Sequence, residues 1–146
     1  MAYKGKFKPR NPSKYKGDPT NIIYRSRWEL VFMDYCDSHK DIIKWASEEF
    51  FIPYRSLIDG RLHRYFPDFY IEKLDKDGHK EIVVIEIKPR SQTIEPKPSK
   101  QITKRYLYEV REYGRNISKW KAAEKFCLER GWRFMIMTEK ELGIKF

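Results

Sequence analysis

The chain has little of what secreted, membrane-spanning or nucleotide-hydrolysing proteins need. Its two cysteines, Cys36 and Cys127, have no Cys-x-x-Cys or Cys/His spacing, so neither a disulfide framework nor a zinc site is encoded. Buried thiols in a reducing compartment are expected instead. No apolar run approaches the ~18 residues of a membrane span, and the first residues lack the apolar core of a signal peptide. The seven glycines form no phosphate-cradling loop, and no Gly-Lys-Ser/Thr occurs, which argues against a P-loop and a nucleotide cofactor. His39, His63 and His79 are scattered without ligand spacing and read as solvated side chains. At 146 residues, with no internal repeat, the chain has the length of one domain.

Positive charge and aromatic residues are abundant. Lys and Arg number 31 against 21 acids, a net charge of +10, which favours a polyanionic partner such as nucleic acid or an anionic membrane. An aromatic content of 16% and a hydrophobic content of 40% argue against disorder. Residues 1–20 are one-sided in charge, with Lys4, Lys6, Lys8, Arg10, Lys14 and Lys16 facing Asp18 alone. Pro9, Pro12, Pro19, Gly5 and Gly17 interrupt that stretch, which predicts a basic, flexible arm ahead of a folded domain over 21–146. Tyr3, Phe7 and Tyr15 are interleaved with the cations, so ordering on DNA or on a protein partner is the other reading.

Trp28, Val31, Phe32, Tyr35 and Cys36 recur at helical spacing, and Ser26 with Glu29 has the form of a capping box. Glu29 thus reads either as a helix-start residue or as a carboxylate aimed into a site. Extended segments follow at 42–46 and 50–57. Asp59-Gly60 then turns the chain into a segment from Leu62 to Glu72, and Asp75–Gly78 leads into a strand over 80–88. Pro89, Pro96 and Pro98 make residues 89–98 a loop. A helix capped by Ser99 is expected to run to Tyr113 and stop at Gly114, with Ile102, Tyr106 and Val110 on one face. A second helix, starting near Asn116 or Ser118 and ending at Gly131, carries Trp120, Ala123 and Cys127 inward. Trp132–Met137 reads as a strand, and Thr138 with Glu141 caps a last helix. The order implies an α/β sandwich around a mixed sheet, with the late strand beside the 80–88 strand.

Ile82 to Ile85 is an unbroken apolar run that ends in Glu86, Ile87 and Lys88. Side chains alternate along a strand, so Glu86 and Lys88 share one face while Ile85 and Ile87 take the other. Asp68, reached from the preceding strand, falls beside them. Two carboxylates can hold Mg²⁺, and a lysine beside them can orient water or stabilise developing charge. An exposed Glu/Lys pair is the bland alternative, contributing about 0–1 kcal/mol. Arg64 and Arg90 flank this group as candidate phosphate contacts. Lys97, Lys100 and Lys104, with Arg105 and Arg111, make the following helix basic, as a DNA-tracking surface would be.

Pro67-Asp68 followed by Glu86-Ile87-Lys88 is similar to the P-D…E-x-K motif of restriction-endonuclease-like nucleases. Ser26-Arg27-Trp28-Glu29, Ile43-Lys44-Trp45, Glu48-Glu49, Ile52-Pro53-Tyr54, Arg64-Tyr65-Phe66, Pro89 and Thr138-Glu139 narrow this, and resemble the TnsA-type nuclease domain. Gly5-Lys6, Ser13-Lys14-Tyr15, Gly17-Asp18-Pro19 and Lys119-Trp120-Lys121-Ala122-Ala123 resemble the branch of that family serving head completion in T-even-type tailed phages. The likeness covers nearly the whole chain. It implies a restriction-endonuclease-like αβββαβ core, a mixed sheet flanked by helices, and Mg²⁺-dependent DNA cleavage, with Mn²⁺ as a substitute. It makes Asp68 and Glu86 metal ligands, the Ile87 backbone carbonyl a further ligand, Lys88 the catalytic lysine, and Glu29 the helix-borne catalytic acid and candidate ligand. Glu48 and Glu49 also match; on a strand only one of them can face the site, and the sequence leaves open which, if either, does. Implied partners are DNA and phage portal or neck proteins. The implied location is the host cytoplasm during assembly, with retention in the virion open. Two alternatives remain: a non-catalytic neck or DNA-binding assembly protein, and a transposition or repair nuclease needing partner subunits.

Overall fold

The Ile82–Ile85 run is covered on both faces because its strand is central in a four-stranded mixed sheet. The computed structural model describes residues 4–98 and 100–142. Its elements are β1 (Gly5–Phe7), a 3₁₀ turn (Pro12–Lys14), β2 (Ile22–Tyr24), α1 (Arg27–Ser38), β3 (Ile42–Ser47) and β4 (Ile52–Arg55). Then come β5 (Leu62–Tyr65), β6 (Phe69–Leu74), β7 (Lys80–Ile87), a second 3₁₀ turn (Arg90–Thr93), α2 (Lys104–Glu129), β8 (Arg133–Met137) and α3 (Glu139–Leu142). The main sheet has the order β3-β6-β7-β8; β3, β6 and β7 are antiparallel neighbours, and β8 is parallel to β7. This is the mixed α/β, restriction-endonuclease-like architecture expected.

Alternation along the strands divides the core in two. Val83, Ile85 and Ile87 join Trp45, Phe69 and Ile71 under Phe32, Met33 and Cys36 of α1. On the other side, Phe134 and Ile136 pack with Trp120, Ala123 and Phe126 of α2, together with Ile52, Tyr54 and Tyr65 from a separate β4–β5 hairpin. Glu86, lying between Ile85 and Ile87, therefore points to the α2 side. Both cysteines are buried free thiols, as expected. No helix is long and apolar enough to cross a membrane among the described residues.

Four local expectations need correction. Residues 4–20 are not without regular structure. β1 pairs with β2, Phe7 and Tyr15 enter the core against Trp45, and the Lys16 N–H donates to the Trp45 carbonyl at 2.8 Å. Asp37 anchors the segment, accepting from the backbone N–H groups of Arg10 (2.8 Å) and Asn11 (3.1 Å). Phe7 and Tyr15, two of the aromatics interleaved with the cations, order this stretch on the chain itself, while Tyr3 lies outside the described residues. The same anchor turns α1, which buries Phe32, Met33, Cys36 and Asp37 and leaves Val31 and Tyr35 exposed. The 62–72 segment is two strands, because buried Pro67 has no N–H to continue a ladder.

The two helices expected around Gly114 are one. α2 is capped by Thr103, whose side chain accepts from the Tyr106 N–H, while Ser99 lies outside the described residues. Gly114 does not stop the helix. A Cβ there would lie 3.2 Å from Ile58 Cδ1, so glycine admits the β4–β5 hairpin. Ser118 Oγ ties the hairpin down, donating to the Gly114 carbonyl (3.0 Å) and accepting from the Leu57 N–H (3.2 Å). The helix ends at Gly131, whose φ of +72° suits a glycine just past the terminus. Of the face expected on its first half, Ile102 precedes the helix and Val110 is exposed. Trp120, Ala123 and Cys127 are buried as expected.

Candidate active site

Phe69 pairs with Ile85, so Asp68, one step before β6, emerges level with Glu86. Asp68 Oδ2 accepts from the Ile87 N–H at 2.8 Å, which fixes the carboxylate against the end of β7. Burial, a hydrogen bond with the Glu86 carboxyl and the negative charge of Glu86 and Glu29 push Asp68 well above the usual carboxylate range. The Ile87 N–H opposes that shift. Glu86 is only 5% exposed and accepts from the Tyr65 hydroxyl. Burial, then the charge of Glu86 and this hydrogen bond, raise the Tyr65 phenol, so Tyr65 acts as a fixed donor.

Glu29 stands in the first turn of α1. Ser26 Oγ accepts from its N–H at 3.1 Å and donates to its Oε2 at 3.2 Å, so Glu29 belongs to the cap, and it also lines the cavity beside Asp68. Burial raises its pKa, the Ser26 hydrogen bond works against this, and Glu48 adds to it. An open cavity of about 560 Å³ is lined by Arg25, Arg27, Trp28, Glu29, Asp68, Ile87, Lys88 and Gln92. Glu86 sits behind Asp68 rather than on that lining. None of Glu29, Asp68 and Glu86 forms an ion pair among the described residues.

The pair left open in the sequence separates cleanly. Glu49 turns away, its Oε1 accepting from the Tyr15 hydroxyl at 2.7 Å. Glu48 turns toward the site and forms an ion pair with Arg25. Its φ of +52° lies in the left-handed region, a conformation costing of order 1–3 kcal/mol in a non-glycine residue. Its N–H donates to the Asp68 carbonyl at 3.2 Å, so the strained residue supports the Asp68 backbone.

Lys88 lines the cavity, and its N–H donates to the Met137 carbonyl at 3.0 Å, so β8 holds the strand end in place. A second lysine, Lys119 of α2, lies with its Nζ 5.8 Å from the centre of the Tyr65 ring. Burial lowers its pKa, with Glu86 pulling it up and Lys88 pushing it down. Arg25 was not singled out from the sequence, Tyr65 and Lys119 stood there only as motif residues without a role at the site, and Glu48 only as one of a pair with Glu49. Lys119 had one usable signal: it borders the buried stripe Asn116, Trp120, Ala123 and Cys127.

The flanking cations are more dispersed. Arg64 stacks over Phe51 at 5.0 Å on the β4–β5 hairpin, outside the cavity. The exposed Arg90 lies just past the cavity wall, its N–H donating to Glu139 at 3.1 Å. Lys97 lines a neighbouring cavity, and Lys100 and Lys104 are exposed where α2 begins. His79 is less isolated than expected, since its ring meets Asp75 and Asp77 in the β6–β7 turn, with ligand atoms within 4.8 Å. Asp75 Oδ1 there already accepts from the N–H groups of Asp77 (2.9 Å) and His79 (2.8 Å). That turn is at the far end of β7, about 20 Å from Glu86 at the usual strand rise.

Crowded carboxylates that no protein cation pairs with directly form a hard-oxygen donor set of the kind Mg²⁺ or Mn²⁺ takes. The donor set therefore fits a divalent cation. The TnsA-like endonuclease N-terminal family matches residues 39–139. The chain is 42% identical over 152 residues, covering 99% of both chains, to a protein named head completion nuclease from Enterobacteria phage T4. The stretch matched by the family holds Asp68, Glu86 and Lys88, and the chain belongs to the TnsA-like endonuclease family.

Proposed function

We propose that this protein is a Mg²⁺-dependent DNA endonuclease acting in phage head completion and head–tail joining. The observation that carries the reading is the Asp68–Glu86 pair, which makes no ion pair among the described residues and whose Asp68 opens beside Lys88 and Glu29 into a cavity with Arg25 and Arg27 on its wall. The family and the name of the T4 relative support the reaction and its setting.

Asp68 and Glu86 would hold the metal, with the Ile87 carbonyl as a further ligand and Glu29 as a candidate fourth. Mn²⁺ would serve in place of Mg²⁺. When bound, the ion supplies Lewis-acid polarisation of a phosphoryl oxygen and a lowered pKa for coordinated water. Lys88 orients the attacking water and offsets charge building on the phosphate oxygens. Tyr65 fixes the Glu86 carboxylate by its hydrogen bond, and the nearby Lys119 ammonium offsets part of its charge. Arg25 and Arg27 engage phosphate from the opposite wall. Arg64, Arg90, Lys97, Lys100 and Lys104 follow the DNA backbone further out, which makes binding salt-dependent. Portal or neck proteins would be the partners, and the host cytoplasm during assembly the place of action.

Incubating supercoiled plasmid with the protein and Mg²⁺, with and without EDTA, tests this directly. Nicking that needs Mg²⁺ and disappears in Asp68→Ala is expected; equal nicking by Asp68→Ala overturns the proposal.

A further inference from the structure

Beyond the catalytic cavity, and sharing Lys88 and Gln92 with it, lies a second cavity of about 740 Å³. One wall is the loop carrying Gln92 and Lys97, and the other is the first half of α2, with Tyr108, Tyr113 and Asn116. Its volume falls within the roughly 300–1,000 Å³ of small-ligand sites.

Asn116 is 6% exposed and lines this cavity, yet its carboxamide has no hydrogen-bond partner among the described residues. The amide opens into the cavity and is free to hydrogen-bond a group that enters it. Tyr108 is 65% exposed and projects from a helix whose first half carries little core. The acids on this wall are occupied: Glu109 pairs with Arg105 at 3.1 Å and Glu112 with Arg115. Ion-paired acids beside aromatic rings suit a neutral, flat, hydrogen-bonding group better than a phosphate. A nucleobase has that chemistry, with one face to stack on tyrosine and an edge for a carboxamide to read.

We propose that this cavity binds a single unstacked nucleotide next to the scissile phosphate, so that the DNA taken is frayed or single-stranded. This rests on the nuclease reading, because Lys88 and Gln92 link the cavity to the catalytic one. The strand would run from the metal-binding carboxylates past Lys88, and its neighbouring base would leave the duplex to enter between Tyr108 and Asn116. The cost of unpairing disappears at a frayed end, which is where selectivity would arise.

The test is fluorescence anisotropy with the full chain in EDTA, titrating a fluorescein-labelled oligonucleotide either single-stranded or annealed to its complement. Single-stranded DNA should bind about tenfold tighter or more, and Tyr108→Ala should weaken it about fivefold or more while changing duplex binding less than about twofold. Asn116→Ala should act the same way; because that residue is buried, its thermal melt is recorded alongside, and the exposed Tyr108→Ala decides if it unfolds. Equal affinity for both DNA forms, or unchanged single-strand affinity in Tyr108→Ala, overturns the subsite. The plasmid assay on the same preparations separates the two proposals. Mg²⁺-dependent nicking without strand preference leaves the nuclease and removes the subsite. Strand preference lost in Tyr108→Ala, without nicking, does the reverse.

Discussion

Two carboxylates reached along one strand are treated in opposite ways. Glu72, in β6, accepts from Lys80 Nζ at 2.8 Å, Lys16 Nζ at 3.0 Å and the Tyr70 hydroxyl at 2.9 Å. Burial opposes its ionisation, but these three donors outweigh it and hold Glu72 down to about 2. Asp68, just before the same strand, has one backbone N–H and is crowded by Glu86 and Glu29, so it moves the other way. The chain supplies cations to the acid that ties its N-terminal segment to the sheet. It leaves Asp68, Glu86 and Glu29 without a direct ion pair among the described residues. A site short of positive charge costs stability and gains affinity for a cation from solution.

Breaking each carboxylate in turn should expose this contrast. Asp68→Ala and Glu86→Ala should each lower plasmid nicking by about 10³-fold or more, the scale of losing metal-assisted chemistry. Glu72→Ala should nick within about twofold of wild type while losing roughly 1–3 kcal/mol in urea unfolding, the range for hydrogen bonds to charged groups. A catalytic collapse in Glu72→Ala would erase the distinction. Next in size, Lys88→Ala should cost about 10²-fold in the rate of cleavage with DNA binding little changed, as expected when transition-state charge stabilisation is removed. Single-turnover rates at saturating protein measure it.

The raised Asp68 carboxyl carries a sign. A group whose pKa is raised in the folded state contributes stability below its unfolded value, and that contribution is lost as pH rises through the folded value. At neutral pH the metal-free protein therefore carries a cost at Asp68. Asp68→Asn, which can still accept the Ile87 N–H, should raise the melting temperature in EDTA by about 2–5 °C. Differential scanning calorimetry decides it, and a lower melting temperature would count against the account. Glu72 gives the smallest and opposite effect. Its depressed pKa supplies stability above the ordinary glutamate value of about 4.3, and that stability is lost as pH falls through about 2. Between about pH 5 and 2, wild type should lose more stability than Glu72→Gln, by urea midpoints.

Much of the site was readable because its signals are local. The apolar run ending at Glu86 and Lys88 fixed the central strand, and alternation correctly put Ile85 and Ile87 on the opposite face. What was missed depends on long-range packing. Gly114 looked like a helix stop because its reason, Ile58 from a hairpin distant in sequence, has no local trace. Once the helix was cut there, Asn116 and Lys119 could not be placed on one element with the groove and the Glu86 carboxylate. Proline and cationic residues made 1–20 look like an arm, whereas Asp37 and Trp45, which hold its described part, lie on other elements. The left-handed backbone of Glu48 is equally invisible in an ordinary Glu-Glu pair.

The central claim is that the acids the fold leaves unpaired are the ones that take the metal. Titrating the protein with Mn²⁺ and following bound ion by electron paramagnetic resonance tests it, using wild type, Asp68→Asn, Glu72→Gln and Asp75→Asn. The account predicts a site in wild type that survives in Glu72→Gln and Asp75→Asn and is lost in Asp68→Asn. Mn²⁺ binding unchanged in Asp68→Asn, or lost instead in Asp75→Asn, would contradict it.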